Sequence, residues 1–165
     1  MATLCLILGI MLLIGAIVTA YRPWMPSVIL SYVAMWVLNY GKHIYIGSNT
    51  LLFWGIATMM VLLIRMGQQH DKPDSNGMGY IATGALVGCV VGMLMSHAGI
   101  ILGSALGAAM GLMAYCRTPN GHTLRFPSKE WIMQLAAKGL PIIVSMSIIG
   151  TTLNELLTIV SIYLK

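Results

Sequence analysis

Apolar residues run along this chain in long stretches interrupted by short polar ones. The runs cover residues 2–20, 27–40, 50–66, 79–95, 99–116 and 140–164. Most approach the roughly 17 to 25 residues that a helix needs to cross a bilayer. The alternating strands of a transmembrane β-barrel are absent. The pattern therefore predicts an all-α, polytopic transmembrane bundle of about six spans, forming a single integral membrane domain over 1–165. Helices suit that setting because they satisfy their own backbone hydrogen bonds within hydrocarbon. The weak point is 27–40, which extends only about 21 Å as a helix. It either crosses with help from its flanks or re-enters and returns.

The polar breaks carry the charges: Arg22 in YRPWMP, Lys42 in GKHIYIGSN, Lys72 with Asp71 and Asp74 in GQQHDKPDSNG, and Arg117, Arg125 and Lys129 in CRTPNGHTLRFPSKE. If 27–40 crosses, Arg22, Arg65, Lys72, Arg117, Arg125, Lys129 and Lys138 share one side, and Lys42 and Lys165 the other. If it re-enters, Arg22, Lys42 and Lys165 face the remaining six. The stronger asymmetry favours six spans with both termini outside the cytoplasm. The VTA at 18–20 resembles a secretory cleavage site, but no basic n-region precedes the first run, so it is expected to be a retained helix.

Ahead of the last run, SKEWIMQLAAK at 128–138 places Glu130, Gln134 and Lys138 on one stripe and Trp131 and Leu135 on another. Ser128 suits an N-cap. This predicts a short interfacial helix with Trp131 at headgroup level, turned into the membrane by Gly139 and Pro141. A kinked extension of the last helix is the alternative.

Residues 84–111, GALVGCVVGMLMSHAGIILGSALGAAMG, add a second periodicity, with glycine at 84, 88 and 92 and again at 99, 103, 107 and 111. Glycine weakens a soluble helix by about 0.5 to 1 kcal/mol relative to alanine. In lipid, small residues at i and i+4 let two backbones approach closely, and that packing drives association. Folding about the SHA turn at 96–98 pairs Gly92 with Gly103, Gly88 with Gly107 and Gly84 with Gly111. The seven glycines Gly84, Gly88, Gly92, Gly99, Gly103, Gly107 and Gly111 are thus candidate helix-packing positions. Ser104 and Ala108 lie about 100° from the glycine stripe, and Ala105 and Ala109 about 200° from it. A further helix, from the same chain or a neighbour, can therefore pack closely.

Composition supports a membrane setting. The chain is 58% hydrophobic and 8% charged, with a mean hydropathy of +0.87, and a soluble domain of 165 residues could not hide so much apolar surface. The net charge of +5 fits cytoplasmic loops near anionic lipid, and nothing points to nucleic acid. Cys5, Cys89 and Cys116 are odd in number, lack CxxC spacing and read as packing residues. The fourteen methionines read as apolar filler.

Candidate chemistry concentrates in the last run. Glu155 is the acidic residue deepest in an apolar segment, ten residues from the C-terminus and about 15 Å along a helix, close to mid-membrane. Such a group is a functional candidate by default. Ser147, Thr151, Asn154, Thr158 and Ser161 share a face about 80° wide with Glu155 at its edge. That face is either a polar lining for an ion or small solute, or a set of interhelical hydrogen-bonding groups. His43, His70, His97 and His122 fall in predicted loops without metal spacing and are expected to be solvated. No P-loop, HExxH or GxSxG motif occurs, so no catalytic residue, metal or cofactor is assigned.

The proline-flanked second segment, the glycine-zipper hairpin containing AGIILGSALGAAMG and the long final helix together resemble a bacterial family of small membrane proteins, domain of unknown function 456. The likeness covers nearly the whole chain and rests on packing motifs. It implies bacterial inner-membrane placement and no catalytic residues. Where that family has a small or proline-containing turn such as PG, this chain has SHAG at 96–99, so His97 departs from it. The expected function is a non-enzymatic packing or assembly module in the lipid bilayer, one that self-associates or accompanies a membrane-protein complex. The alternative is a small transporter or channel using the polar face of the last helix.

Overall fold

A computed structural model describes residues 2–21, 27–41, 46–67, 77–118 and 129–163. These residues form helices and turns, with no strand among them. The helices are α1 (Ala2–Ala20), α2 (Ser27–Tyr40), α3 (Ser48–Gly67), α4 (Met78–Met93), α5 (His97–Cys116), α6 (Lys129–Gln134) and α7 (Leu140–Tyr163), with a π-helical segment at Leu135–Gly139 between the last two.

Two helical hairpins form where small residues let backbones meet. In the first, a Cβ at Gly9 of α1 would strike the Leu38 side chain of α2, and one at Gly15 would lie 3.2 Å from Leu30 Cδ2. The second joins α4 to α5. Gly77 opens α4 at a φ of 88°, a left-handed conformation that glycine adopts without steric cost. At the other end, the amides of Met95 and Ser96 donate to the Gly92 carbonyl. Ser96 then caps α5 by accepting from the Gly99 amide at 3.2 Å.

The last helix is the hub. α7 packs on α2, α4 and α5 and, more lightly, on α1 and α3. Every residue from Ser145 to Thr152 is buried, so this stretch is enclosed on all sides. The core holds the fully buried side chains Met35, Leu38, Ile81, Ile100, Leu112, Ile142, Met146 and Ile148. α3 sits at the edge, where the Tyr32 hydroxyl reaches the Leu51 carbonyl at 3.4 Å.

Two expectations change. A separate interfacial helix before the last span is not observed, because α6 passes through the π-helical segment into α7 without a break and Leu140 remains right-handed helical. Pro141 cannot donate to the Ala137 carbonyl and its ring crowds that group; the wider π turn around Ala137 relieves this conflict. Trp131, expected on an interfacial helix, is 7% exposed and belongs to the core. Ser128, the proposed N-cap, lies outside the described residues.

Of the six expected spans, two are long and apolar enough to cross a membrane: His97–Cys116 and the continuous helix Trp131–Ile159. The other four, Leu4–Ala20, Ser27–Tyr40, Ser48–Ile64 and Met78–Met93, are shorter apolar helices. Their outer faces are nonetheless apolar and open. On α3, Leu52, Phe53, Ile56, Met59, Met60 and Leu63 are each more than half exposed, as are Leu4, Ile7, Leu8, Met11, Ile14 and Val18 on α1.

Candidate functional site

The glycine positions of α4 and α5 face one another along both helices. A Cβ at Gly84 would meet the Gly107 carbonyl oxygen, and one at Gly88 the Gly103 carbonyl oxygen. At Gly92 it would meet the Gly99 carbonyl oxygen, and at Gly111 the Tyr80 carbonyl oxygen. The reverse contacts hold for Gly99, Gly103 and Gly107 against the carbonyls of Gly92, Gly88 and Gly84. The partners are staggered, which differs from the level pairing read from the turn. Gly88 lies between Gly103 and Gly107, whose Cα is 3.0 Å from the Cβ position, and Gly84 lies between Gly107 and Gly111. The short turn, closed by the Ser96 cap, brings Gly99 beside Gly92 and shifts the register toward it.

The second close face of α5 belongs to α7 of the same chain. Ser104 and Ala108 are both fully buried, and the Ser104 and Ser147 hydroxyls hydrogen-bond at 2.8 Å. One level along, Cys89 Sγ donates to the Met146 carbonyl at 3.3 Å. A Cβ at Gly150 would lie 2.5 Å from Cys89 Sγ and 2.7 Å from Ile100 Cγ2. α7 thus seats against both helices of the hairpin through Met146, Ser147 and Gly150. The three cysteines form no disulfide, and Cys5 and Cys116 are half-buried.

The polar residues of α7 divide by depth. Ser147 and Thr151 are 1% and 7% exposed. Asn154 and Glu155 are half-buried, and Thr158 and Ser161 are exposed. The Thr151 hydroxyl donates to the Ser147 and Ile148 carbonyls at 3.0 Å, Thr158 to Asn154 at 2.9 Å and Ser161 to Thr158 at 2.7 Å. Ser145 and Thr152, which the polar face omitted, are also buried and donate to the Ile142 and Ile148 carbonyls. Hydroxyls returned to their own helix in this way are satisfied without water.

Glu155 and His97, which the sequence left unconnected, lie side by side. Glu155 lies level with the α4–α5 turn, because His97 Nε2 is 3.4 Å from Glu155 Oε1. His97 is the first residue of α5 rather than part of a free loop. The pair remains accessible, with side chains 60% and 32% exposed. The signal available in the sequence was the departure of SHAG from a small or proline turn, but no spacing connects positions 97 and 155. His43, His70 and His122 lie outside the described residues. Among the described residues, no group of three or more His, Cys, Asp or Glu side chains could hold a metal ion.

Comparisons with protein families, with known proteins and with solved structures found no match for this chain.

Proposed function

We propose that this chain is a bacterial inner-membrane protein that crosses the bilayer six times and serves as a non-enzymatic packing or assembly module. It self-associates or accompanies a larger membrane complex. The observation that carries this reading is the use made of the polar face of α7: its two deepest hydroxyl residues are sealed inside the bundle. Ser147 bonds Ser104, and Thr151 bonds its own helix. Groups committed to packing are poorly suited to line a path for a solute, so the geometry favours assembly over transport.

The membrane setting is supported by the inside-out distribution of side chains. The exposed face of α3 alone presents six large apolar side chains, each more than half exposed, whereas the largest apolar patch on a typical soluble monomer is only roughly 300–600 Å². Lipid is the natural cover for such faces on α1, α3, α4 and α5. Six crossings are supported by the course of α2. It runs antiparallel to α1 as one uninterrupted helix, with Leu30 beside Gly15 and Leu38 beside Gly9, so its two ends lie far apart. A re-entrant segment would bring them back together. Local thinning of the bilayer accommodates short spans at a cost of fractions of a kcal/mol per Å. In this arrangement the α4–α5 turn and the C-terminus share the non-cytoplasmic side, and the basic segments face the cytoplasm. The glycine contacts of α4 and α5 act as a glycine zipper in this reading, and membership of the domain-of-unknown-function family belongs to the same proposal.

Purification in a gentle detergent followed by native mass measurement tests it. A stable homo-oligomer or a stoichiometric protein partner is expected. A monomer with no partner, together with pH-dependent cation flux into proteoliposomes, would replace assembly with transport.

A further inference from the structure

We propose that His97 and Glu155 form a proton-sensitive clasp that holds the C-terminal part of α7 against the start of α5. The clasp marks a boundary in packing. α7 is buried on every side through Thr152, half-buried from Leu153 to Leu156, and exposed at Leu157, Thr158 and Ser161. The pair therefore sits where α7 passes from its enclosed stretch to one held on its inner side alone, through Leu153, Leu156 and Ile159.

The charge environment is simple. From the sequence, α1, α2 and α4 contain no Asp, Glu, Lys, Arg or His, and α3 contains only Arg65. Within α5, His97 is the one such residue, and Arg117 follows that helix at its far end. Tyr80 and Tyr115 also lie at the far end, in contact with one another. Cys89 is bound to Met146, on the seam side of α7. Lys42, His43 and Lys165 lie outside the described residues. Among the described residues, Glu155 thus finds its charged partner in His97.

The start of α5 reinforces the dependence on protonation. A helix N-terminus favours a neighbouring anion and disfavours a cation. Protonated His97, at the first residue of α5, therefore depends on the carboxylate to offset the helix dipole. Histidine is the side chain whose ordinary charge change falls between pH 5 and 8. The pair is ionic only while His97 carries its proton, and the contact weakens when that proton is lost. The Ser96 cap fixes the backbone that presents the imidazole, so the change is passed to its partner, the half-buried stretch of α7 that carries Glu155.

The test uses the full chain in lipid nanodiscs, with the three native cysteines replaced by alanine and spin labels at Met95→Cys and Leu157→Cys. Both sites are exposed, one on the turn and one on α7. Distance distributions are recorded by double electron–electron resonance from pH 5.5 to 8.5. The expected result is a single short distance at low pH and a longer population at high pH, with the closed-to-open ratio changing on the order of two- to fivefold, as befits a half-exposed ion pair. His97→Gln and Glu155→Gln should each make the distribution independent of pH. A parent distribution that does not respond to pH would overturn the clasp. So would a response that persists in either variant.

Discussion

Replacing Gly88 with alanine adds one methyl group where no side chain can move aside. The atoms nearest the new Cβ are the Gly103 carbonyl oxygen, the Gly103 carbonyl carbon at 2.8 Å and the Gly107 Cα at 3.0 Å. All three are backbone, so α4 and α5 must separate by on the order of 1 Å at this level to restore ordinary contact. A gap of that size forfeits about a quarter to a half of each contact, and each contact is worth about 0.1–0.2 kcal/mol. Over a seam of on the order of 40 heavy-atom contacts the loss is roughly 2 kcal/mol, within the range of about 1–3 kcal/mol for overpacked interiors. Gly79 is the matched control. It lies in the same helix, and a Cβ there meets nothing within 4 Å. Gly79→Ala should leave stability within about 1 kcal/mol, on the stabilising side. Reversible unfolding of both variants by SDS in mixed micelles, followed by far-ultraviolet circular dichroism, measures the difference. If Gly88→Ala proves as stable as Gly79→Ala, the two backbones are not in the tight contact described here.

Other expectations follow from the same packing. Gly150→Ala should destabilise the protein by about 1–3 kcal/mol, and adding Cys89→Ala should recover part of that loss, because Cys89 Sγ is the nearest obstacle; strictly additive effects in the unfolding assay would count against it. Ser104→Ala and Ser147→Ala should each cost about 0.6 kcal/mol and at most about 1.7 kcal/mol, with a double variant less destabilised than the sum, because they remove the same bond. In cysteine-free protein, single cysteines at Ser48 and Met95 should react with an impermeant thiol reagent in intact cells, while one at Tyr21 stays shielded. Labelling at Tyr21 would indicate that α2 re-enters and would reduce the crossings to five.

Much of this architecture is legible in the residues themselves because it is local. Helix ends fall within two residues of the apolar runs: α1 and α2 end where the runs end, and α3 and α5 begin two residues earlier. The glycine spacing foretells which faces of α4 and α5 can meet, since a four-residue repeat returns to one side of a helix. Their stagger was not legible, because it depends on the geometry of a three-residue turn and on where Ser96 caps. The passage from α6 into α7 was legible only as the alternative, a kinked extension of the last helix. Gly139 and Pro141 also read as a break, and a π turn lets the helix accommodate them. Contacts distant in sequence left the faintest traces. Ser104 and Ser147 were identifiable as polar groups on small-residue faces, but their pairing was not, and nothing in the sequence connects His97 with Glu155.

The central place of α7 has a consequence for how the protein is made. Ribosomes deliver the chain from the N-terminus, so the helix around which the others gather is the last of them to emerge. At about 5–20 residues per second, the 47 residues from Cys116 to Tyr163 take roughly 2 to 10 s to synthesise. The α4–α5 hairpin can close in that interval, since its contacts are local. The α5 face bearing Ser104 and Ala108 must wait uncovered, with the Ser104 hydroxyl returned to the Ile101 carbonyl of its own helix, until α7 arrives. A nascent chain stalled before residue 140 would present that face persistently.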